Sequence, residues 1–346
     1  KCWGKNDHGQ LGNNSLVTSN VPVQVQGLNA GVQSIAVGKN HACAIVDGGV
    51  WCWGAGTLGQ LGNGASLDSS VPVHVTGVGG VGFITGARNI SLGTDQSCAT
   101  ANGQALCWGG NGTGQLGNNT IIASNTPVQV NGLASGAHSV YGGDGFSCAM
   151  QNGAMLCWGT NGSGQLQDGT NNPSLVPIVS LTFNQNLLAM TVGSAYGCAI
   201  ASSGIQCWGS NTSGKLGDGT TAQTNFPVST VGMEGAPFKI AAGYRYACAI
   251  VEKGGVQCWG RNGSGDLGTG DNSDRWMPTQ VTGIPVGATA IATGDQFTCA
   301  IVNGGVWCWG AGWNGRIGDN TGNSYNIPVQ VKGVGGVGIL TNVTDI

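Results

Sequence analysis

The tripeptide Cys-Trp-Gly occurs seven times in this chain, and its regular spacing constrains the fold more than any other sequence feature. Successive copies lie 50, 55, 50, 50, 51 and 50 residues apart, and they begin at Cys2, Cys52, Cys107, Cys157, Cys207, Cys258 and Cys308. A Cys-Ala pair recurs before the tripeptide, and a Gly-x-Leu-Gly element and a Pro-Val or similar pair recur after it. A fixed period of this length is typical of an array of repeated structural units.

The composition favours strands over helices in each repeat. Gly contributes 66 of the 346 residues, only 8% of the residues are charged, and turn residues recur about every ten positions. A repeat of this length has room for about four short strands, the content of one propeller blade. The sequence therefore predicts an all-β, seven-bladed β-propeller of about 50-residue repeats, with one cross-strand disulfide per blade.

A closed ring of repeats predicts a single domain over residues 1–346. The predicted blade repeats lie near 1–31, 32–86, 87–136, 137–187, 188–237, 238–287 and 288–338. Residues 339–346 are predicted to begin a closing blade that lacks one hairpin strand. Cys2 has no partner nine residues upstream, and the C-terminal segment aligns with the strand around Ile291. We therefore expect the chain to be part of a longer protein.

The hairpin in each repeat follows from counting. If Cys43 faces Cys52 in an antiparallel pair, the two-residue turn is Asp47-Gly48, a favoured type I′ sequence. The same rule places turns at 102–103, 152–153 and 303–304, where the sequence is Asn-Gly, and at 202–203, where it is the less favourable Ser-Ser. In the repeat of Cys248 a three-residue loop ends in Gly254, the residue expected at a G1 bulge.

Facing residues in an antiparallel pair have Cα atoms roughly 4.5 to 5.5 Å apart, within reach of a disulfide. The predicted disulfides are Cys43–Cys52, Cys98–Cys107, Cys148–Cys157, Cys198–Cys207, Cys248–Cys258 and Cys299–Cys308. The alternatives are buried free thiols, or a zinc site that the absence of Cys-x-x-Cys and the presence of only four His disfavour. Disulfides at this density indicate an oxidising compartment, so we expect a secreted or cell-surface protein.

The repeats resemble those of the regulator of chromosome condensation family. The motif of that family is matched at Gly38, His41, Ala44, Ile45, Trp53, Gly54 and Gly59-Gln60-Leu61-Gly62. The resemblance extends over essentially all residues, and it implies a seven-bladed propeller. Nuclear members exchange nucleotide on a small GTPase and contact chromatin, but the paired cysteines make this chain more similar to a secreted bacterial branch.

Charge and motifs exclude several classes of function. The 12 Lys and Arg against 15 Asp and Glu give a net charge of −3, which disfavours a nucleic-acid partner. No nucleophile triad, phosphate loop or repeated carboxylate pair is present, so we predict no enzymatic activity and no cofactor. The acidic loop around Asp271 lacks the spacing of a calcium-binding loop. No apolar run is long enough for direct membrane insertion.

Candidate binding residues lie in the connections between the first and second strands of the repeats, because these vary while the surrounding sequence repeats. The connections are residues 39–41, 94–96, 144–146, 194–196, 244–246 and 295–297. The candidates from these connections are Phe146, Tyr196, Tyr244, Arg245, Tyr246 and Phe297. For the aromatic third position, packing against a neighbouring blade is the main alternative. Trp276 and Trp313, with Arg275 and Arg316, form a second candidate cluster.

The sequence thus favours a non-enzymatic extracellular or cell-surface module for adhesion, assembly or protein binding, with another protein or a second copy as partner. A secreted enzyme inhibitor is the alternative, since a bacterial β-lactamase inhibitor protein shares this propeller type. A guanine nucleotide exchange factor is more remote. Carbohydrate remains a possible ligand, although the repeated Cys-Trp-Gly tryptophans are better explained by packing between blades.

Overall fold

Six four-stranded antiparallel sheets succeed one another along the part of the chain that the structure describes, residues 1–183 and 187–346 of a computed structural model. In every sheet the strands are neighbours in chain order. The first strands of successive sheets contact one another, so they surround a common axis and the fourth strands lie at the rim. Each sheet is therefore one blade of a propeller.

The strands are numbered in chain order. Blade 1 contains β3 (Val32–Val37), β4 (His41–Val46), β5 (Gly49–Gly54) and β6 (Ser69–His74), and blade 2 contains β7 (Ala87–Leu92), β8 (Gln96–Ala101), β9 (Gln104–Gly109) and β10 (Ser124–Gln129). Blade 3 contains β11 (Ala137–Gly142), β12 (Phe146–Gln151), β13 (Ala154–Gly159) and β14 (Ser174–Val179), and blade 4 contains β15 (Ala189–Val192), β16 (Tyr196–Ala201), β17 (Gly204–Gly209) and β18 (Thr224–Ser229). Blade 5 contains β19 (Pro237–Ala242), β20 (Tyr246–Val251), β21 (Gly255–Gly260) and β22 (Arg275–Gln280), and blade 6 contains β23 (Ala288–Thr293), β24 (Phe297–Val302), β25 (Gly305–Gly310) and β26 (Tyr325–Gln330). Short 3₁₀ helices are formed by Val78–Gly80, Thr212–Gly214, Glu252–Gly254, Trp313–Gly315 and Val334–Gly336.

The prediction of seven blades is wrong, because the propeller has six. In the described residues the N-terminal repeat forms only a two-stranded sheet, β1 (Cys2–Gly4) with β2 (Ser19–Val23). Among residues 1–183 and 187–346 no Cys-Ala strand pairs with β1, so the described part of this repeat does not form a four-stranded blade. In residues 339–346, predicted to begin a closing blade, Ile339 forms an isolated bridge with Lys332 and no strand is present. Residues 184–186 of the predicted repeat 137–187 lie outside the described residues.

The hairpin registers are those predicted by counting. Cys43 pairs with Cys52 and Val46 with Gly49. The turn residues Asp47 and Gly48 have φ of 50° and 75°, as a type I′ turn requires. The three Asn-Gly turns have positive φ at both residues as well. In the Ser202-Ser203 turn the positive φ instead falls on the following Gly204, because two serines tolerate this conformation poorly.

Each of the six blades contains one disulfide between its second and third strands. The bonded pairs are Cys43–Cys52, Cys98–Cys107, Cys148–Cys157, Cys198–Cys207, Cys248–Cys258 and Cys299–Cys308. Their Cα atoms are 4.0 to 4.1 Å apart, and the cysteines are buried in the blade core. Among the described residues Cys2 is the free cysteine, and it faces Val23 of β2.

Candidate functional site

The Cys-Trp-Gly tryptophans hold neighbouring sheets together. Trp108, Trp158, Trp208, Trp259 and Trp309 are fully buried, and each indole N–H donates to a backbone carbonyl in the loop of the preceding blade. The distances are 2.8 to 3.0 Å. Trp3 in β1 donates in the same way to the Arg316 carbonyl, 3.0 Å away, and so joins the N-terminal sheet to blade 6. These tryptophans therefore support the packing interpretation over a carbohydrate platform.

A glycine behind each indole explains the last residue of the Gly-x-Leu-Gly element. Gly117 has φ +67°, and a Cβ placed there would lie 2.7 Å from Trp158 Nε1. We expect Gly117→Ala to lower the free energy of unfolding by about 2 to 4 kcal/mol through backbone strain and overpacking. Chemical denaturation measures this loss. Gly112→Ala in the same loop is the matched control, since a Cβ there meets nothing within 4 Å; equal losses for both variants would contradict the explanation.

One face of the ring contains the connections between first and second strands and the long loops that follow the third strands. We call it the loop face. Its two kinds of loop contact each other across the seams between blades. For example, Thr113 Oγ1 of blade 2 donates to the Gly145 carbonyl of blade 3, 2.8 Å away. The predicted binding connections therefore lie on one continuous surface.

The aromatic third position of these connections is internal in blades 3 to 5. Phe146, Tyr196 and Tyr246 are at most 1% exposed. The Tyr196 hydroxyl donates to the Tyr246 carbonyl of the next blade, and the Tyr246 hydroxyl donates to the Phe297 carbonyl of the blade after it. These side chains are consequently not available to a partner in the folded protein, and their geometry supports the alternative of packing between blades. Phe297 is half-buried.

The other candidates are exposed. Tyr244 is 42% exposed, and the Arg245 guanidinium lies over its ring, 5.5 Å from the centroid. Trp313 is 43% exposed, and the Arg316 guanidinium lies 5.1 Å from its ring centroid. Blades 5 and 6 therefore each present a stacked pair of an arginine and an aromatic ring on the loop face.

Trp276 belongs to a different seam. It lies in β22 at the rim of blade 5, is 50% exposed, and packs against Gly214 in the long loop of blade 4. Its neighbour Arg275 forms an ion pair with Asp271, 2.6 Å away. Trp313 and Arg316 instead lie beside Phe297 in blade 6. The structure thus places the two halves of the second predicted cluster at different positions on blades 4 to 6.

A recurring glutamine was missed in the sequence. In Gly-Gln-Leu the side-chain Oε1 accepts a hydrogen bond from the backbone N–H two residues earlier, and the distance is 2.8 to 2.9 Å in all four copies: Gln10, Gln60, Gln115 and Gln165. This bond fixes the turn of the long loop. In blades 4, 5 and 6 the same position is Lys215, Asp266 and Arg316. An alignment of the seven repeats with one another contains this signal.

Lys215 is buried at the seam of blades 4 and 5, with 3% of its surface exposed. Its Nζ donates to the Ser194 carbonyl, 2.8 Å away, and lies 4.8 Å from the centroid of the Tyr196 ring. Burial, together with the nearby charge of Arg245, lowers the pKa of Lys215 to about 8, although Asp144 acts in the opposite direction. Arg316 makes the equivalent bond in blade 6, from Nη1 to the Asp295 carbonyl at 3.0 Å.

Asp266 is fully buried, and neither carboxylate oxygen meets hydrogen-bond geometry with a donor among the described residues, although the backbone N–H of Ser264 is near enough to oppose the pKa shift. In their blades Lys215 and Arg316 donate to a backbone carbonyl oxygen at this place. A carbonyl oxygen only accepts hydrogen bonds, so it cannot satisfy the carboxylate of Asp266. Burial therefore raises the pKa of Asp266 to about 6, while the nearby charge of Arg261 opposes the shift. Asp266 is therefore a buried charge on the loop face that its surroundings destabilise.

Neither a metal-binding cluster of side chains nor a membrane-spanning helix occurs in residues 1–183 and 187–346. No group of three or more His, Cys, Asp or Glu side chains in these residues is arranged to bind a metal ion. Among the helices that the structure describes, none has both the length and the apolar character of a membrane span.

Comparison with known proteins identifies the fold. The chain is similar to yeast RCC1 (Prp20), solved bound to Kap60, with 19% identity and a TM-score of 0.81 over 96% of this chain and 83% of that chain. It is also similar to human WBSCR16, with 21% identity and a TM-score of 0.80 over 95% of this chain and 92% of that chain. No curated protein matches the chain by sequence. Residues 2–346 match the family model of the RCC1-like domain, and the chain therefore belongs to the RCC1-like domain family.

Proposed function

We propose that this chain is a non-enzymatic, extracellular protein-binding module whose binding surface is the loop face of blades 4 to 6. The observation that carries the proposal is the replacement of the turn-forming glutamine by Lys215, Asp266 and Arg316 in three consecutive blades. Each replacement gives up the local hydrogen bond that the four glutamines make. The repeats share one fold, so each shows which residues that fold requires. A replacement of the glutamine that is confined to blades 4 to 6 therefore indicates a role other than folding.

Exposed aromatic and arginine side chains occur in the same sector. Tyr244 with Arg245 and Trp313 with Arg316 are the stacked pairs, and Trp276 adds a half-exposed indole at the rim. Tyr, Trp and Arg are the residues most enriched among those that dominate binding energy at protein interfaces. Stacking also restricts the arginine side chains before binding, which lowers the entropy lost on association.

The disulfide-bonded cysteines support the extracellular part of the proposal. Six intrachain disulfides are expected to persist only under oxidising conditions, which supports an extracellular location. The related folds support a protein partner in general terms. Yeast RCC1 was solved bound to Kap60, and the structure of Prp20p was described with its binding to Gsp1p and histones. At about 20% identity these cases indicate only that the fold can serve as a protein-binding scaffold.

The test is affinity capture from the extracellular fraction of the native source, followed by titration with the purified captured protein. We expect the triple variant Tyr244→Ala, Arg245→Ala, Trp313→Ala to raise Kd at least 100-fold. The matched control is Lys39→Ala, Asn40→Ala, Leu58→Ala on the loop face of blade 1, which should keep the wild-type Kd. Equal affinity of the triple variant and the wild type would overturn the proposed surface. A captured enzyme that loses activity on binding would identify the inhibitor alternative.

A further inference from the structure

We infer that β1 and Cys2 form a docking site for a cysteine-containing segment of a second polypeptide, which adds to the sheet as a strand antiparallel to β1 and forms a disulfide with Cys2. This site is separate from the loop face of blades 4 to 6, so the inference goes beyond the proposed function and does not depend on it. The N-terminal sheet that contains the site lies between blades 6 and 1. Trp3 bonds to blade 6, and Trp53 of blade 1 donates to the Gln10 carbonyl, 3.0 Å away.

The sheet of β1 and β2 corresponds to the outer half of a blade. Cys2 of β1 faces Val23 of β2, as Cys52 in the third strand of blade 1 faces Val73 in the fourth. In blade 1 the other edge of the third strand pairs with the second strand, but in the described part of the chain β1 pairs with β2 alone. The second edge of β1 therefore presents unpaired backbone N–H and C=O groups, which a further strand can bind.

The C-terminal segment lies at the place of a first strand. The Val343 N–H donates to the Gly304 carbonyl at the hairpin of blade 6, 3.0 Å away. The first strand of blade 2 begins with the equivalent bond, from the Ala87 N–H to the Gly48 carbonyl of blade 1 at 2.9 Å. Residues 343–346 thus occupy the place of a first strand, and β1 occupies the place of a third. We call the place of the second strand, between residues 343–346 and β1, the strand slot.

Side chains beside the strand slot are accessible to solvent. Cys2 is half-buried, whereas the equivalent Cys52 has no exposed surface. Ile35 in β3 is 41% exposed, while the equivalent Ile90 and Val140 of blades 2 and 3 are at most 4% exposed. The core cluster that buries Ile90 includes the second strand of the preceding blade. A segment that enters the slot therefore reaches both Cys2 and Ile35.

Phe297 of blade 6 borders the strand slot from the other side. The Tyr196 hydroxyl donates to the Tyr246 carbonyl and the Tyr246 hydroxyl to the Phe297 carbonyl, and each acceptor is the first residue of the second strand in the next blade. These two tyrosines are at most 1% exposed. Phe297, for which the next second strand belongs in the slot, is only half-buried. A strand in the slot therefore covers an aromatic ring as well as Ile35.

The second strands of the six blades define the chemistry that fits the slot. Each has six residues with Cys third and Ala fourth, and none contains Lys, Arg, Asp or Glu: β4, β8, β12, β16, β20 and β24. The Cys and Ala side chains are at most 3% exposed. All six strands are already paired, and their cysteines and those of the third strands all form disulfides. The segment therefore comes from a second polypeptide that carries an uncharged strand with a central Cys-Ala pair.

The register of the blades places the incoming cysteine opposite Cys2. Bonded cysteines in the six blades have Cα atoms 4.0 to 4.1 Å apart. The bond forms by thiol–disulfide exchange with a segment whose cysteine carries glutathione. The Cys2 thiolate attacks the cysteine sulfur of that mixed disulfide, the new S–S bond forms, and glutathione leaves as a thiolate that takes up the proton lost by Cys2. One disulfide replaces another, so no further oxidant is consumed.

A peptide with the sequence of β20, Tyr-Ala-Cys-Ala-Ile-Val, is the probe, added as its glutathione mixed disulfide to the folded, oxidised chain. The comparison peptide contains the same residues in scrambled order with the cysteine first. Burial raises the pKa of the Cys2 thiol, so exchange is followed at pH 8.5. We expect the β20 peptide to form the protein–peptide disulfide about tenfold faster or more, because it binds as a strand before it reacts. Equal rates for the two peptides would overturn the docking site.

Two variants separate strand binding from simple thiol reactivity. Cys2→Ser should abolish the adduct. Ile35→Ser changes an exposed side chain, so it should fold, slow adduct formation with the β20 peptide about fivefold and leave the reaction with oxidised glutathione unchanged. Val231→Ser, at a side chain 50% exposed between blades 4 and 5, is the matched control and should react like the wild type. An unchanged rate for Ile35→Ser would show that Cys2 reacts without a bound strand.

Protein from the native source identifies the occupant of the strand slot, once its thiols are blocked at lysis and it is digested without reduction. We expect mass spectrometry to find Cys2 joined to a cysteine-containing peptide of another polypeptide. A bond between the Cys2 residues of two copies, a bond to another segment of the same polypeptide, or a free Cys2 thiol would each overturn the assignment to a second polypeptide.

Discussion

Reduction of the six disulfides is expected to lower the thermal unfolding midpoint of this protein more than any single substitution. Each bond closes a hairpin with a sequence separation of 9 or 10 residues. In the chain-entropy model a loop of this size contributes up to about 3 kcal/mol, less where the turn already closes the hairpin. Differential scanning calorimetry with and without a phosphine reductant measures the sum. An unchanged midpoint after complete reduction would contradict the expectation.

A variant that lacks the disulfide of one blade measures the contribution of a single bond. The double variant Cys148→Ala, Cys157→Ala should lose about 1 to 3 kcal/mol of unfolding free energy, because the bond closes a short loop at a fully buried position. Cys2→Ser is the control, since Cys2 forms no disulfide in the structure, and it should leave the midpoint unchanged. A loss for Cys2→Ser as large as for the pair would indicate that the cysteines stabilise by packing instead.

The redox state of the six disulfides also tests whether the protein resides in an oxidising compartment. Protein taken from its native source and alkylated under denaturing, non-reducing conditions should contain at most one alkylated thiol among these thirteen cysteines, and that thiol should be Cys2. Mass spectrometry counts the adducts. Thirteen adducts would place the chain in a reducing compartment and would remove the main support for an extracellular function.

Local structure could be predicted from the sequence because its causes are local. The turn dipeptide Asp47-Gly48 fixes a hairpin register, and that register places Cys43 opposite Cys52 without any tertiary information. The indole positions followed from strand alternation, since Cys and Trp in adjacent positions point to opposite faces. These features depend on neighbours within a few residues.

Features that depend on contacts between repeats could not be read in the same way. Counting Cys-Trp-Gly gave seven units, but a blade needs inner strands as well, and the first repeat lacks them. Tyr246 and Phe297 occupy the same third position of their connections, yet Tyr246 is 1% exposed and Phe297 is only half-buried. Only the position of the next blade decides which ring is covered.

The charged residues that replace the recurring glutamine illustrate a third limit of prediction from the sequence. Lys215, Asp266 and Arg316 look like unremarkable surface charges until the hydrogen bond made by Gln165 shows what that position does. The backbone N–H that the glutamine satisfies is invisible in the sequence. Aligning the repeats identifies the substituted positions, but the structure is needed to show that one of the three is a buried carboxylate without a partner among the described residues.

Asp266→Gln is accordingly expected to stabilise the protein by about 3 kcal/mol at pH 7.5 and by much less at pH 4. The pKa of Asp266 is raised from 3.8 to about 6 in the folded state. Below pH 3.8 both states are protonated and the carboxyl carries no penalty. Between the two pKa values the unfolded state loses its proton first, so stability falls as pH rises. Above about pH 6 the full penalty remains, and it amounts to about 1.4 kcal/mol for every pH unit that separates the folded and unfolded pKa values.

Thermal midpoints of the wild type and the variant across pH 4 to 8 measure this difference. Gln is one methylene longer than Asp, so we expect it to accept from the Ser264 N–H with the geometry that Gln165 has with the Ser163 N–H, while Asp266→Asn removes only the charge. We therefore expect both variants to lose the pH dependence and Gln to be the more stable of the two. Glu252→Gln, an exposed carboxylate in the hairpin turn at the opposite end of blade 5, is the control and should follow the wild type. A variant gain that is constant with pH would show that the Asp266 carboxyl is not the titrating group, and the destabilising charge on the loop face would then lie elsewhere.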